Sequence, residues 1–161
     1  MGSTADPIPI AVALGSNIGD RERHLQRALA ALAPLVESLR VSSFHDTAPV
    51  GVVDQPRFLN AAAVGFTRLS AQDLLRSLLD IEASLGRTRP FSGAPRTVDL
   101  DLILYGDETR ATPTLTLPHP RFREREFVLV PLAEVAGDWI DPVTGLTVEA
   151  LLQALRTGGG V

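Results

Sequence analysis

The order of the apolar segments limits the fold of this sequence more than any other feature. Short apolar runs bounded by turn residues are typical of strands, and longer stretches with one apolar face are typical of helices. The core order is strand, helix, strand, strand, helix, strand. The predicted strands lie at 8–14, 36–45, 58–67 and 98–105, and the predicted helices lie between Asp20 and Pro34 and between Ser70 and Gly86.

This order is that of an α+β ferredoxin-like sandwich, in which helices pack on one face of an antiparallel sheet. C-terminal additions are expected beyond it: a short extended piece at 115–117, a helix at 127–136, a turn at 140–146, and a last helix that begins after Thr147. A chain of 161 residues fits one domain. We therefore expect a single domain over 8–156, with disorder at 1–7 and 157–161.

Composition excludes several classes of function. The chain has no cysteine, so disulfides, thiolate metal sites and cysteine nucleophiles are excluded. Its 15 basic residues are all arginine, which excludes the lysine-dependent phosphate loop, and the net charge of −4 argues against nucleic-acid binding. No apolar run is long enough for a membrane span and no secretory signal is visible, so a cytoplasmic location is expected.

Two carboxylates stand on one predicted strand, in Val98-Asp99-Leu100-Asp101-Leu102. Alternate strand residues face the same side, so Asp99 and Asp101 share a face with α-carbons about 6.5–7 Å apart. Such a pair suits a divalent cation, and oxygen-only ligation favours magnesium. From spacing alone, a solvated edge-strand face remains an equally good reading.

Arginines flank this acid pair on both sides. Arg87, Arg89 and Arg96 precede the strand, and a second group follows His119, namely Arg121, Arg123 and Arg125. Guanidinium groups bind phosphate oxygens bidentately, and a His in this setting can donate to phosphate. An acid pair between arginine-rich loops therefore favours phosphoryl transfer, although each arginine taken alone is typical of a solvated surface.

Two aromatic residues complete the candidate site, because Phe58 opens the third core strand and Phe127 follows Arg125. Each is also an ordinary core candidate. Asn60 lies two residues beyond Phe58, hence on the same strand face, and its amide can pair with the donor and acceptor edge of a stacked heterocycle.

Four motifs in order resemble the 6-hydroxymethyl-7,8-dihydropterin pyrophosphokinase family, over about Ile10 to Leu155. They are ALGSNIGD, the T-x-P-x-G…D-Q-P-x-F-L-N-A stretch, the G-R-x-R…P-R-T-V-D-L-D-L-I-L stretch, and LPHPRFREREFVLVPL. The resemblance implies a magnesium-dependent transfer of diphosphate from ATP to the hydroxymethyl group of a reduced pterin in folate biosynthesis, with release of AMP. It also implies two Mg²⁺ ions and a monomer.

The resemblance also implies roles for individual residues. Asp99 and Asp101 would hold both ions and take part in catalysis. The pterin site would consist of Thr47, Val50, Phe58, Asn60 and Phe127. Arg87, Arg89, Arg96, His119 and Arg125 would hold the triphosphate, with Arg87 and Arg96 also catalytic, and Leu102, Leu115 and Thr116 would surround the adenine.

The chain departs from the family pattern in two places. The loop at 90–95 lacks the usual Trp, with Phe91 as a candidate substitute, and Leu79 stands where the family commonly has Gln. Two other readings therefore stay open. One is a ferredoxin-like module that binds nucleotide or pterin without turnover; the other is a phosphohydrolase, which is weaker because no residue stands out as nucleophile or base.

Overall fold

The computed structural model describes residues 6–47, 57–86 and 97–158. Val50, Arg87, Arg89, Arg96 and the 90–95 loop, to which the sequence assigns roles, lie outside these ranges. The strands are β1 Ile8–Ser16, β2 Glu37–Val41, β3 His45–Thr47, β4 Phe58–Thr67, β5 Asp99–Tyr105, β6 Arg110–Ala111 and β7 Thr116–Leu117. The helices are α1 Arg21–Leu32, α2 Ala71–Leu85, α3 Glu126–Ala136 and α4 Val148–Arg156.

The main sheet has the strand order β2-β4-β1-β5, with β3 added to the end of β4, and its paired neighbours are antiparallel. Strands β6 and β7 form a separate small ladder. The path β1-α1-β2-β4-α2-β5 with this order confirms the predicted ferredoxin-like α+β sandwich.

Helices cover both faces of the sheet rather than the one face expected of the core order. Helices α1 and α2 pack with residues such as Val12 and Leu102 on one face, and α3 and α4 pack with Ala11 and Ile103 on the other. The C-terminal additions form this second layer. Consecutive residues of β1 are buried from Ile10 onward, so both faces of that strand require a cover.

Capping residues fix where the helices begin, as the sequence predicts. Asp20 accepts a hydrogen bond from the backbone N–H of Arg23 at 3.2 Å, and Ser70 accepts one from that of Asp73 at 3.1 Å. Thr147 does the same for the N–H of Ala150 at 3.1 Å. These bonds satisfy donors that the first turn of a helix leaves unpaired.

One predicted strand, 36–45, is wrong as a single element, because it divides into β2 and β3. Ser38 has a left-handed φ of 54°, and the register against β4 shifts between Glu37 and Arg40. A bulged edge strand ends early, so the chain re-enters the sheet only at β3. Within the described ranges, no helix has the length and apolarity required to cross a bilayer.

Candidate active site

A cavity of about 540 Å³ lies between the sheet and the start of α3. The floor of the cavity consists of β1, β4 and β5, and the segment that leads into α3 forms the wall opposite the floor. The lining residues are Ala13, Leu14, Gly15, Thr47, Phe58, Asn60, Asp99, Asp101, Arg121, Glu124, Arg125, Phe127 and Val128. Acidic, basic, amide and aromatic groups therefore surround one space.

The strand register explains why the floor is open at its centre. Gly15 on β1 pairs with Asn60 on one side and with Asp99 on the other. In the next row that faces the same way, Ala13 pairs with Ala62 and Asp101. Neighbouring strands lie about 4.8 Å apart, so the α-carbons of Asn60 and Asp99 are roughly 10 Å apart across a strip of small residues.

The amide of Asn60 is held in one orientation. Its side chain is buried, and Nδ2 donates to the Thr47 hydroxyl at 2.6 Å. Thr47 is in turn placed by its pairing with Phe58. A Cβ on Gly15 would lie 3.1 Å from Asn60 Oδ1, so a side chain at position 15 would crowd the carbonyl end of the amide.

Asp99 and Asp101 stand half-buried on the cavity face of β5, while Leu100 and Leu102 pack into the core on the opposite face. Their alternation is therefore the one predicted. The backbone of this strand is also anchored at its outer edge, because the Leu100 N–H donates to Glu82 Oε2 at 2.6 Å. Within the described residues, no cluster of three or more His, Asp or Glu side chains is present that could hold a metal.

The segment that enters α3 supplies the cationic wall. Arg121 and Arg125 line the cavity, and the Arg125 guanidinium lies 5.7 Å from the centre of the Phe127 ring. Phe122 lies between Arg121 and Arg125 in the sequence; its side chain is fully buried and holds the turn against the α3–α4 core. Glu124 also lines the cavity and lies 3.7 Å from Arg121.

His119 is half-buried beside this wall. Its Nδ1 accepts a hydrogen bond from the Arg121 N–H at 3.2 Å, so a neutral ring carries its proton on Nε2. Burial lowers the pKa of His119; the charges of Arg125 and Arg121 lower it further, whereas Asp101 acts in the opposite direction. The uncharged ring is therefore favoured, with Nε2–H as a donor.

The structure brings together seven of the residues that the sequence assigns: Thr47, Phe58, Asn60, Asp99, Asp101, Arg125 and Phe127. Leu102 and Leu115 are instead buried in the core with α1 and α2, and Thr116 is exposed on β7. None of these three lines the cavity of the described residues, and their adenine role stays a prediction.

Sequence reasoning assigned no role to Gly15 or Glu124, and it placed Arg121 only in the arginine group that flanks the acid pair. The ALGSNIGD motif contains Gly15, and the arginine group contains Arg121, so a signal was present. That these three residues line the cavity could be identified only from the strand pairing and from the turn before α3.

Fold and cavity together define a class: a ferredoxin-like α+β protein whose sheet carries an acid pair beside a buried amide, facing arginines and aromatic rings. Over residues 11–137 the sequence matches the family described as 7,8-dihydro-6-hydroxymethylpterin-pyrophosphokinase (HPPK). The chain belongs to this family. It is thereby a pyrophosphokinase of folate biosynthesis, with ATP as co-substrate.

Curated relatives agree with this assignment. The chain is 44% identical over 144 residues to the 2-amino-4-hydroxy-6-hydroxymethyldihydropteridine pyrophosphokinase of Synechocystis sp., covering 88% of this chain and 73% of that protein. It is 49% identical over 126 residues to the Bacillus subtilis protein of the same name, covering 77% and 75%. A mitochondrial bifunctional folate synthesis protein of Pisum sativum is 41% identical over 136 residues, which cover 84% of this chain and 26% of that protein.

Solved structures support the fold. An HPPK-DHPS protein of Plasmodium falciparum superposes with a TM-score of 0.79 at 14% identity, covering 97% of this chain. The aligned region spans 47% of that longer chain. At this identity the likeness establishes the architecture alone.

Proposed function

We propose that this chain transfers the diphosphate of ATP to the hydroxymethyl group of 6-hydroxymethyl-7,8-dihydropterin and releases AMP, in a magnesium-dependent reaction. The observation that carries the proposal is the shared cavity floor, on which Asn60 and the Asp99–Asp101 pair stand on opposite sides of Gly15 and Ala13. A heterocyclic ring bound to the Asn60 amide can present its substituent to phosphates bound beside Asp99 and Asp101.

The pterin would bind at the amide side of the floor. The Asn60 carbonyl and its remaining N–H suit the alternating donors and acceptors of a pterin edge, and the bond to Thr47 prevents the amide from turning over. Phe58 and Phe127 both line this cavity and would stack on the two faces of the pterin ring. The binding energy of this site would position the hydroxymethyl oxygen.

The donor chemistry fits magnesium. Two carboxylates on one strand face, both in reach of the cavity, are the few anionic oxygens that Mg²⁺ takes from a protein when phosphates and water complete its shell. Asp99 and Asp101 would be the protein ligands of two Mg²⁺ ions. Bound there, the metal would neutralise charge on the phosphates during transfer.

The remaining residues would hold the phosphate chain. Arg121 and Arg125 line the same cavity as the two acids, and a neutral His119 would donate to a phosphate oxygen from Nε2 without adding a charge. Arg87, Arg89 and Arg96 would also bind the triphosphate, and Arg87 and Arg96 would take part in catalysis. The pterin oxygen forms a bond to the β-phosphorus as the bond from that phosphorus to the AMP oxygen breaks, and the hydroxyl proton passes to solvent.

The test is product analysis with a matched pair of variants. Native protein with ATP, Mg²⁺ and the hydroxymethyl dihydropterin should form AMP only when pterin is present. Asp101→Asn should abolish this, whereas Asp107→Asn, an exposed aspartate just beyond the same strand, should retain it. ADP or inorganic phosphate as the product, or equal activity in the two variants, would overturn the proposal.

A further inference from the structure

The arginine side chains of the turn before α3 point in two directions. Arg121 and Arg125 line the cavity, but Arg123 between them turns away from it and reaches Asp141 in the connection between α3 and α4. The contact is bidentate: Nε donates to Oδ2 at 2.5 Å and Nη2 donates to Oδ1 at 3.0 Å. This geometry fixes the direction of a guanidinium as well as its distance.

Asp141 is the only fully buried charged side chain among the described residues. Besides Arg123, its oxygens accept hydrogen bonds from the Thr144 hydroxyl at 2.8 Å and from the Val143 N–H at 3.0 Å. Each carboxylate oxygen thus has two donors. A buried charge with four directed bonds cannot shift without leaving donors or acceptors unpaired, so Asp141 is a rigid point in this part of the molecule.

The rigid point is coupled to the cavity by a short path. Phe122, fully buried, lies under the Arg123 guanidinium at 4.9 Å from the ring centre. The Arg125 N–H donates to the Phe122 carbonyl at 3.3 Å, which closes the turn. The buried Phe122 side chain fixes how deeply the turn packs into the core. The contact between Arg123 and Asp141 attaches the turn at a second point and prevents it from rotating about Phe122.

We infer that Asp141 is a positioning residue, which acts through Arg123 to hold Arg121 and Arg125 toward the phosphate-binding part of the cavity. Asp141 lies outside residues 11–137, the segment that matches the family. The inference rests on the proposed function, because that function places the phosphates beside these arginines.

Asp141→Asn tests the inference, with Asp138→Asn, an exposed aspartate three residues earlier, as the matched control. We would measure the Kd of a non-hydrolysable ATP analogue with Mg²⁺ and the Kd of the pterin, at a temperature where circular dichroism shows each variant folded. Asp141→Asn should weaken nucleotide binding about tenfold, since small displacements of positioned groups have effects of this order. Pterin binding and the control should change less than about twofold.

Arg123→Lys provides a second variant if Asp141→Asn does not fold. It keeps the charge but loses the bidentate contact, so nucleotide affinity should fall by about threefold or more with pterin affinity retained. Native nucleotide affinity in either folded variant, or an equal loss for both ligands, would overturn the inference. Because both constants are read without turnover, a native protein that binds both ligands and forms no AMP would refute the proposed function alone.

Discussion

Replacing Gly15 with alanine tests the geometry of the cavity floor most selectively. The added Cβ would lie 3.1 Å from Asn60 Oδ1 and 3.8 Å from Phe58 Cδ1, on the side where the pterin edge is proposed to bind. Gly15 does not use a left-handed φ, so alanine fits the backbone. The substitution therefore acts on the amide rather than on the fold.

The magnitude follows from the Asn60 amide. Relief of a 3.1 Å contact requires the amide to move by a few tenths of an ångström, yet Nδ2 is held at 2.6 Å from the Thr47 hydroxyl. The movement would weaken one amide–pterin hydrogen bond, which is about 1–1.5 kcal/mol. We expect kcat/KM for the pterin to fall about tenfold, while the free energy of unfolding changes by less than about 1 kcal/mol.

The assay compares steady-state rates at saturating ATP with the thermal stability of each variant. Gly65→Ala is the matched control, because its Cβ would collide with Val36 Cγ1 and lie 2.7 Å from the Glu37 carbonyl oxygen, away from the cavity. That variant should lose stability and, where folded, keep the native pterin KM. A stable Gly15→Ala enzyme with the native pterin kcat/KM, or one that loses only nucleotide affinity, would refute the reasoning.

Three further predictions concern charge. Burial lowers the pKa of His119, so its NMR titration midpoint should lie below about 6.5; Asp101→Asn should lower it further, because the Asp101 charge acts to raise it. A midpoint at or above 6.5 would contradict this. Burial raises the pKa of Asp141, but its hydrogen bonds to Arg123, Val143 and Thr144 outweigh burial and lower the pKa overall. The ionised Asp141 therefore stabilises the fold above about pH 4, and this stabilisation is lost as the pH falls further. At pH 7 the free energy of unfolding of Asp141→Asn should be about 3 kcal/mol lower than that of the native protein. Urea titrations should find that this difference in free energy becomes smaller below pH 4. Removal of divalent ions with EDTA should weaken binding of the ATP analogue by at least about tenfold in the native protein, and calorimetry that finds no change would contradict metal binding at the acids.

Local signals predicted the elements that depend on local chemistry. The bounds of β4, Phe58–Thr67, agree with the prediction because both ends carry clear turn signals. The caps at Asp20, Ser70 and Thr147 were visible for the same reason. The side-chain alternation that places Asp99 and Asp101 on one face is also a local property of a strand.

Properties that depend on pairing were not predictable. No local pattern identifies Gly15 as the residue between Asn60 and Asp99, since that depends on the register of β1 against two strands. The division of 36–45 depends on an edge-strand bulge at Ser38. The role of Asp141 depends on where α3 and α4 place the connection between them, which no spacing in the sequence reveals.

The central claim is that a pterin oxygen attacks the β-phosphorus of ATP held at the acid pair. We would use pterin labelled with ¹⁸O in its hydroxymethyl group and follow the products by ³¹P NMR and mass spectrometry. The account predicts that the label is found in the bridge between the pterin carbon and the diphosphate, with unlabelled AMP. Label lost to water, or diphosphate ester formed equally well by Asp101→Asn, would contradict it.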